Sequence, residues 1–134
     1  DLLLTPGSTQ RDQAIELHLA GKKVWGSPGH VDDALEREFA GEVFDRACRP
    51  AGIGRQFKAS RADRSRTERL RLLHVPTLVI HGDRDTLIDI SGGLRTAEVI
   101  PNARFIEVNG MGHDYPEYFW PNLVSAVRKH CQNI

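Results

Sequence analysis

Hydrophobic residues follow two different periods along this chain, and the change of period separates two regions. Up to about residue 60 they recur at helical spacing, and beyond residue 72 short β-branched runs alternate with helical stretches. One apolar residue every three or four positions marks a helix face, whereas a short continuous or alternating run marks a strand. The pattern predicts a helical segment followed by an α/β segment.

The first region predicts three helices. Thr9 is an N-cap candidate for the first helix, and the small residues of Gly26–Gly29 predict a loop after it. A second helix is expected from about Val31 to Cys48. Pro50 suits the first turn of a third helix. The second helix has an apolar residue at every fourth position, namely Val31, Leu35, Phe39, Val43 and Ala47.

The second region predicts two strands, each followed by a helix. The strands are Val75–His81 and Arg104–Val108, and the helices run from Ser91 to Ile100 and from Pro116 to about Cys131. This order implies parallel strands joined by a crossover helix. We expect the last helix to turn three apolar residues inward: Phe119, Leu123 and Val127.

Two parallel strands make a poor domain because each leaves an edge unpaired, and parallel strands normally lie inside a covered sheet. We therefore expect either a second copy of the chain or a preceding segment to supply neighbouring strands. The chain begins with Asp1 and not with Met, which favours a piece of a longer protein. We divide it into a helical lid and connector, residues 1–71, and a βαβα core portion, residues 72–134.

Composition excludes several classes of protein. The 134 residues include 18 basic and 18 acidic side chains, so a zero net charge argues against nucleic-acid binding and against a polybasic membrane patch. Residues 46–71 are locally basic, and we interpret them as a solvated connector. The N-terminus lacks the features of a signal peptide, and no apolar run is long enough to span a membrane.

The two cysteines, Cys48 and Cys131, lie far apart and match no metal-ligand spacing. They fit a reduced intracellular protein, so we expect a cytoplasmic location. No metal and no cofactor are predicted.

Candidate chemistry lies in the two loops that follow the strands. The first loop is His81–Asp85, and the second is Asn109–Asp114. Functional groups gather where parallel strands end, so the pattern places a carboxylate and an imidazole at one edge of the sheet. A carboxylate that accepts a hydrogen bond from histidine Nδ1 fixes the tautomer, and such a pair is two thirds of a Ser-His-Asp system.

The stretch from Val75 to Asp85, followed by Gly110-Met-Gly-His113, resembles the C-terminal part of the α/β-hydrolase fold, and in particular small lidded esterases of the aclacinomycin methylesterase-like and haloperoxidase-like types. The family order of nucleophile, acid and histidine agrees with Asp85 preceding His113. The resemblance implies a serine hydrolase that acts on a small ester-type substrate. Asp85 would be its triad acid and His113 its base.

The chain departs from this family at the nucleophile because it has no G-x-S-x-G motif. Ser27 and Ser91 are flanked by glycines at the wrong spacing. We therefore expect the chain alone to be inactive. A carboxylate nucleophile, as in dehalogenases and epoxide hydrolases, stays open. The alternative is a non-catalytic binding or dimerisation module that uses the exposed strand edges.

Several nearby residues have simpler interpretations. We expect Asp83 to cap the turn or face solvent, and His81 to be a buried, structurally bonded histidine. Four aromatic residues of the helical region could line a substrate pocket, but helical spacing favours the lid's own core: Trp25, Phe39, Phe44 and Phe57.

Overall fold

The structure, a computed structural model, describes residues 5–63 and 65–132. These residues form six α-helices, two β-strands and a single 3-10 turn at Glu117–Phe119. In chain order the elements are α1 (Arg11–Trp25), α2 (Asp33–Arg46), α3 (Pro50–Ala62), α4 (Thr67–Arg71), β1 (Leu78–Gly82), α5 (Ile90–Val99), β2 (Arg104–Val108) and α6 (Trp120–Gln132).

The chain divides into two compact units. The first unit contains the described residues up to Val24 and those from Val31 to Asp63. The second unit contains the described residues from Ser65 onwards together with Trp25–His30, the turn between α1 and α2. A short piece of the helical region therefore packs with the α/β region.

The second unit is built on a parallel pair of strands, as the sequence predicts. Leu78 lies opposite Arg104, and Gly82 lies opposite Val108 at the carboxyl ends of both strands. Helix α5 forms the crossover, and the Asp89 side chain caps it by accepting a hydrogen bond from Ser91 N–H.

A small apolar core lies beneath the carboxyl ends of the two strands. Val108, Met111 and Phe119 are buried there, with Met111 only 2% exposed. Three half-buried hydrophobic residues pack against them: Ile80, Ile106 and Leu123. This core lies directly under the loop that follows β2, so it supports the predicted site.

The first unit packs α1 against α2 through few buried residues. Ile15 and Leu19 of α1 meet Ala40 of α2. One turn away, Glu36 Oε1 and Oε2 bond to Lys22 Nζ at 2.8 Å and to His18 Nε2 at 2.7 Å. Helix α2 therefore faces α1 with small and charged residues.

This choice of face corrects the prediction of a lid core at Phe39. Phe39 is 55% exposed, and Leu35 and Val43 on the same row are exposed as well. The reason is that the row of Glu36 and Ala40, one position along, makes the buried contact with α1, whereas the half-exposed Phe39 ring lies 6.0 Å from the His18 ring, centroid to centroid. The other aromatic residues assigned to that core are half-buried: Trp25, Phe44 and Phe57.

Smaller corrections concern the ends of elements. The first strand begins at Leu78, because Val75 is exposed and Pro76 has no N–H for a ladder. The last α-helix begins at Trp120, after the 3-10 turn. Val127, predicted to face inward, is exposed. Helix α4 has no counterpart in the predicted elements.

Candidate active site

The loops after β1 and β2 are bound to each other backbone to backbone. Arg84 N–H donates to Met111 O at 2.9 Å, and Gly110 N–H donates to a carboxylate oxygen of Asp83 at 2.6 Å. A Cβ at Gly82 would overlap the carbonyl of Met111, so only glycine allows this approach. The prediction that Asp83 caps its own turn or faces solvent is wrong, since its half-buried carboxylate joins the two loops.

Asp85 lies in the first loop with its side chain 5% exposed. Its Oδ1 accepts hydrogen bonds from Leu87 N–H at 2.9 Å and Ile88 N–H at 2.8 Å. Its Oδ2 lies 2.7 Å from His113 Nδ1. Burial on its own would raise the pKa of Asp85, but these hydrogen bonds favour the carboxylate and lower the pKa below its ordinary value.

His113 lies in the second loop and contacts Asp85 through Nδ1, so the structure brings the two predicted residues together. A carboxylate accepts only, so in the neutral ring Nδ1 carries the proton and Nε2 keeps its lone pair. The ring is 44% exposed, and within the described residues Nε2 makes no hydrogen bond. Such an imidazole can accept a proton at Nε2 while its new charge is stabilised through Nδ1.

His81, at the end of β1, is largely buried and hydrogen-bonded, as the sequence predicts. Its side chain is 11% exposed, and Nε2 donates to Ile88 O at 2.9 Å. The same nitrogen lies 3.4 Å from Asp85 Oδ2. His81 thus joins the end of β1 to Ile88, on the other side of the loop that carries Asp85.

A buried polar cluster beside His113 is absent from the sequence predictions. Ser27 is fully buried, and its Oγ donates to Asp114 Oδ1 at 2.5 Å and accepts from Gly112 N–H at 2.9 Å. Ser27 N–H donates to the same Asp114 oxygen at 2.9 Å. Only the small-residue loop at Gly26–Gly29 hints at this packing, because partners 85 and 87 residues apart leave no local pattern.

Other candidate chemistry is limited. Cys48 and Cys131 are exposed free thiols. In residues 5–63 and 65–132, no three histidine, cysteine or acidic side chains cluster as a metal site would require. No helix of that same part of the chain has the length and apolarity needed to cross a membrane.

Comparisons with known proteins agree with the architecture. No protein-family model matches the sequence. The non-heme chloroperoxidase CPO-A1 of Kitasatospora aureofaciens is 42% identical over 48 residues, which cover 35% of this chain and 18% of that protein. The esterase RhEst1 of Rhodococcus sp. ECU1013 superposes with a TM-score of 0.63 and 27% identity, covering 92% of this chain and 44% of the esterase.

A second solved structure, a point mutant of the meta-cleavage product hydrolase CumD, gives a TM-score of 0.63 at 20% identity and covers 99% of this chain. This chain spans slightly less than half the length of each solved structure, 44% and 48%. The chain has the fold of the C-terminal part of an α/β-hydrolase.

Proposed function

We propose that this chain is the C-terminal portion of a serine hydrolase that acts on an ester-type bond, with Asp85 as the triad acid and His113 as the base. The bond between Asp85 Oδ2 and His113 Nδ1, 2.7 Å long, carries this proposal. Likeness to the esterase RhEst1, at 27% identity, supports the reaction class.

In this mechanism His113 Nε2 takes the proton of an attacking serine and later returns it to the leaving alcohol. Asp85 stays ionised throughout, because its hydrogen bonds favour the carboxylate, and it stabilises the imidazolium. These proton transfers need no metal or cofactor.

We place the nucleophile on a segment outside this chain. None of the six serines follows a glycine by two positions, which the nucleophile turn G-x-S-x-G requires. Ser27 is fully buried, with its hydroxyl bonded to Asp114. The chain alone should therefore be inactive. A carboxylate in place of the serine would give a dehalogenase or an epoxide hydrolase instead.

The test compares this chain with the natural full-length protein on a chromogenic acetate ester, using a fluorophosphonate probe to label an activated serine. The full-length protein should turn over the ester and take the label on a serine of a G-x-S-x-G motif. His113→Ala should reduce turnover by roughly 10³-fold or more. His113-dependent turnover by this chain alone would overturn the external nucleophile.

A second candidate function rests on the strand edges. Within the described residues the sheet has two strands, so each has one edge without a strand partner. Such edges favour pairing with another chain. A binding or dimerisation module predicts a dimer of the isolated chain by light scattering, whereas a monomer that binds no partner counts against it.

A further inference from the structure

Three consecutive residues centred on His113 are all bound to the turn that follows α1. Gly112 N–H donates to Ser27 Oγ, His113 N–H donates to Trp25 O at 2.6 Å, and the Asp114 carboxylate accepts from Ser27. The backbone on both sides of His113 is therefore fixed by contacts unrelated to its own ring.

The contact is too close to be general packing. A Cβ at Gly112 would lie 2.5 Å from the carbonyl carbon of Gly26 and 2.7 Å from Ser27 N. The turn and the loop thus meet backbone to backbone, with room for glycine only. Such an approach fixes the position of the His113 Cα within narrow limits.

Burying Ser27 and Asp114 costs free energy of folding unless their hydrogen bonds are made. Asp114 is 7% exposed and Ser27 is fully buried. A buried carboxylate needs strong donors, and Ser27 supplies both its hydroxyl and its N–H to one oxygen. An apolar pair would pack this site without the desolvation cost, so its polarity points to a requirement for defined geometry.

We infer that Ser27 and Asp114 are positioning residues for His113: they fix its backbone, while Asp85 fixes its ring. His113 therefore has two separate supports. The Ser27–Asp114 pair holds its backbone, and Asp85, in the loop after β1, holds its ring. This positioning matters for catalysis only if His113 is the base, so the inference rests on the proposed function. A catalytic base must be held within a fraction of an ångström of its working geometry.

The test measures the His113 tautomer in the chain as it exists, from ring nitrogen shifts in long-range proton–nitrogen NMR spectra at alkaline pH. The wild-type chain should show the Nδ1–H form, because Asp85 accepts from Nδ1. Ser27→Ala and Asp114→Ala should each give a mixture of tautomers while the Val108 and Met111 amide signals stay in place.

Three further variants separate a positioning role from a charge effect and from a general loss of stability. Asp114→Asn keeps an acceptor oxygen for Ser27, so it should retain the Nδ1–H form. Ser125→Ala, an exposed control on α6, should change nothing. If Ser27→Ala fails to fold, Ser27→Cys keeps the volume with a weaker donor and should show a partial mixture.

A wild-type tautomer in folded Ser27→Ala, Asp114→Ala or Ser27→Cys overturns the inference, because a purely structural role lowers the unfolding midpoint without touching the ring. Loss of the tautomer in Asp114→Asn also overturns it in favour of a charge effect. In the natural full-length protein Ser27→Ala should lower kcat roughly 100-fold with little change in KM. If these variants lose the Nδ1–H tautomer but the full-length wild-type protein has no esterase activity, the positioning role stands and the proposed function is overturned instead.

Discussion

The loops at the carboxyl ends of β1 and β2 differ sharply from the α1–α2 pair in how their residues are held. In the loops, Gly82 and Gly112 allow backbone to touch backbone, and buried polar atoms are bonded. In the helix pair the buried contact is small, and ion pairs such as Arg11–Asp45 lie at the surface, with both side chains about half exposed. Exposed ion pairs contribute little to stability.

The same contrast holds for two phenylalanines. Phe119 is 3% exposed and packs with Met111 beneath the loop of His113, whereas Phe39 on α2 is 55% exposed. Phe119 therefore supports the loop of His113 from within the same unit of the chain. The helical unit presents an exposed apolar row on α2.

The largest expected difference in stability is between the variants that remove the Phe119 ring and the Phe39 ring. Phe119→Ala should lower the free energy of unfolding by about 3–5 kcal/mol, because it empties a buried site. Phe39→Ala should cost less than about 1 kcal/mol, since its ring is already half in water. Chemical denaturation of the isolated chain measures both variants. Similar losses would contradict the comparison and show that the Phe39 face is covered in solution.

The sequence predicts the elements of the α/β unit well, and for a physical reason. The runs at Leu78–Gly82 and Arg104–Val108 have the length of strands and not of helices, and glycine or proline lies close to their ends. Strand ends determine which loops meet, so order alone brings a carboxylate and an imidazole together, whereas the choice of Asp85 and His113 rests on the resemblance to α/β-hydrolase motifs. Their catalytic roles stay predictions.

The remaining features depend on contacts that no local pattern records. The spacing of Leu35, Phe39 and Val43 correctly predicts a helix, but not which of its faces packs on α1. The small residues around Ser27 indicate a tight loop but not a buried donor, and its partner Asp114 lies 87 residues away in the chain. Periodicity predicts elements, whereas buried polar pairs need the tertiary fold.

A smaller effect should separate two glycines. Gly82→Ala should cost about 2–4 kcal/mol, because its Cβ would overlap the backbone of Met111, which cannot move aside as a flexible side chain would. Gly54→Ala on α3 meets nothing within 4 Å and should stabilise the chain by about 0.5–1 kcal/mol through helix propensity. Thermal and urea denaturation give the sign of each change. A tolerated Gly82→Ala would mean that the two loops separate readily.

The smallest expected effect is in how the free energy of unfolding changes with pH when one of two carboxylates, one from each unit, is removed. Asp85 has a lowered pKa because its hydrogen bonds outweigh burial, and Glu36 has one because burial is outweighed by Lys22 and His18. A carboxyl whose pKa is lower in the folded state stabilises the fold above its unfolded pKa, about 4, and loses that contribution as the pH falls through the folded value.

Asp85→Asn and Glu36→Gln should therefore differ most from the wild type near pH 7, and the differences should shrink below about pH 4. Unfolding free energies from urea titrations at pH values between 7 and 2 measure them. We expect the larger difference at Asp85, because its side chain is 5% exposed and that of Glu36 is 20% exposed, so water screens Glu36 more. A larger acid response at Glu36 would reverse the comparison, making the helix pair, and not the loop pair, the more strongly held region of the chain.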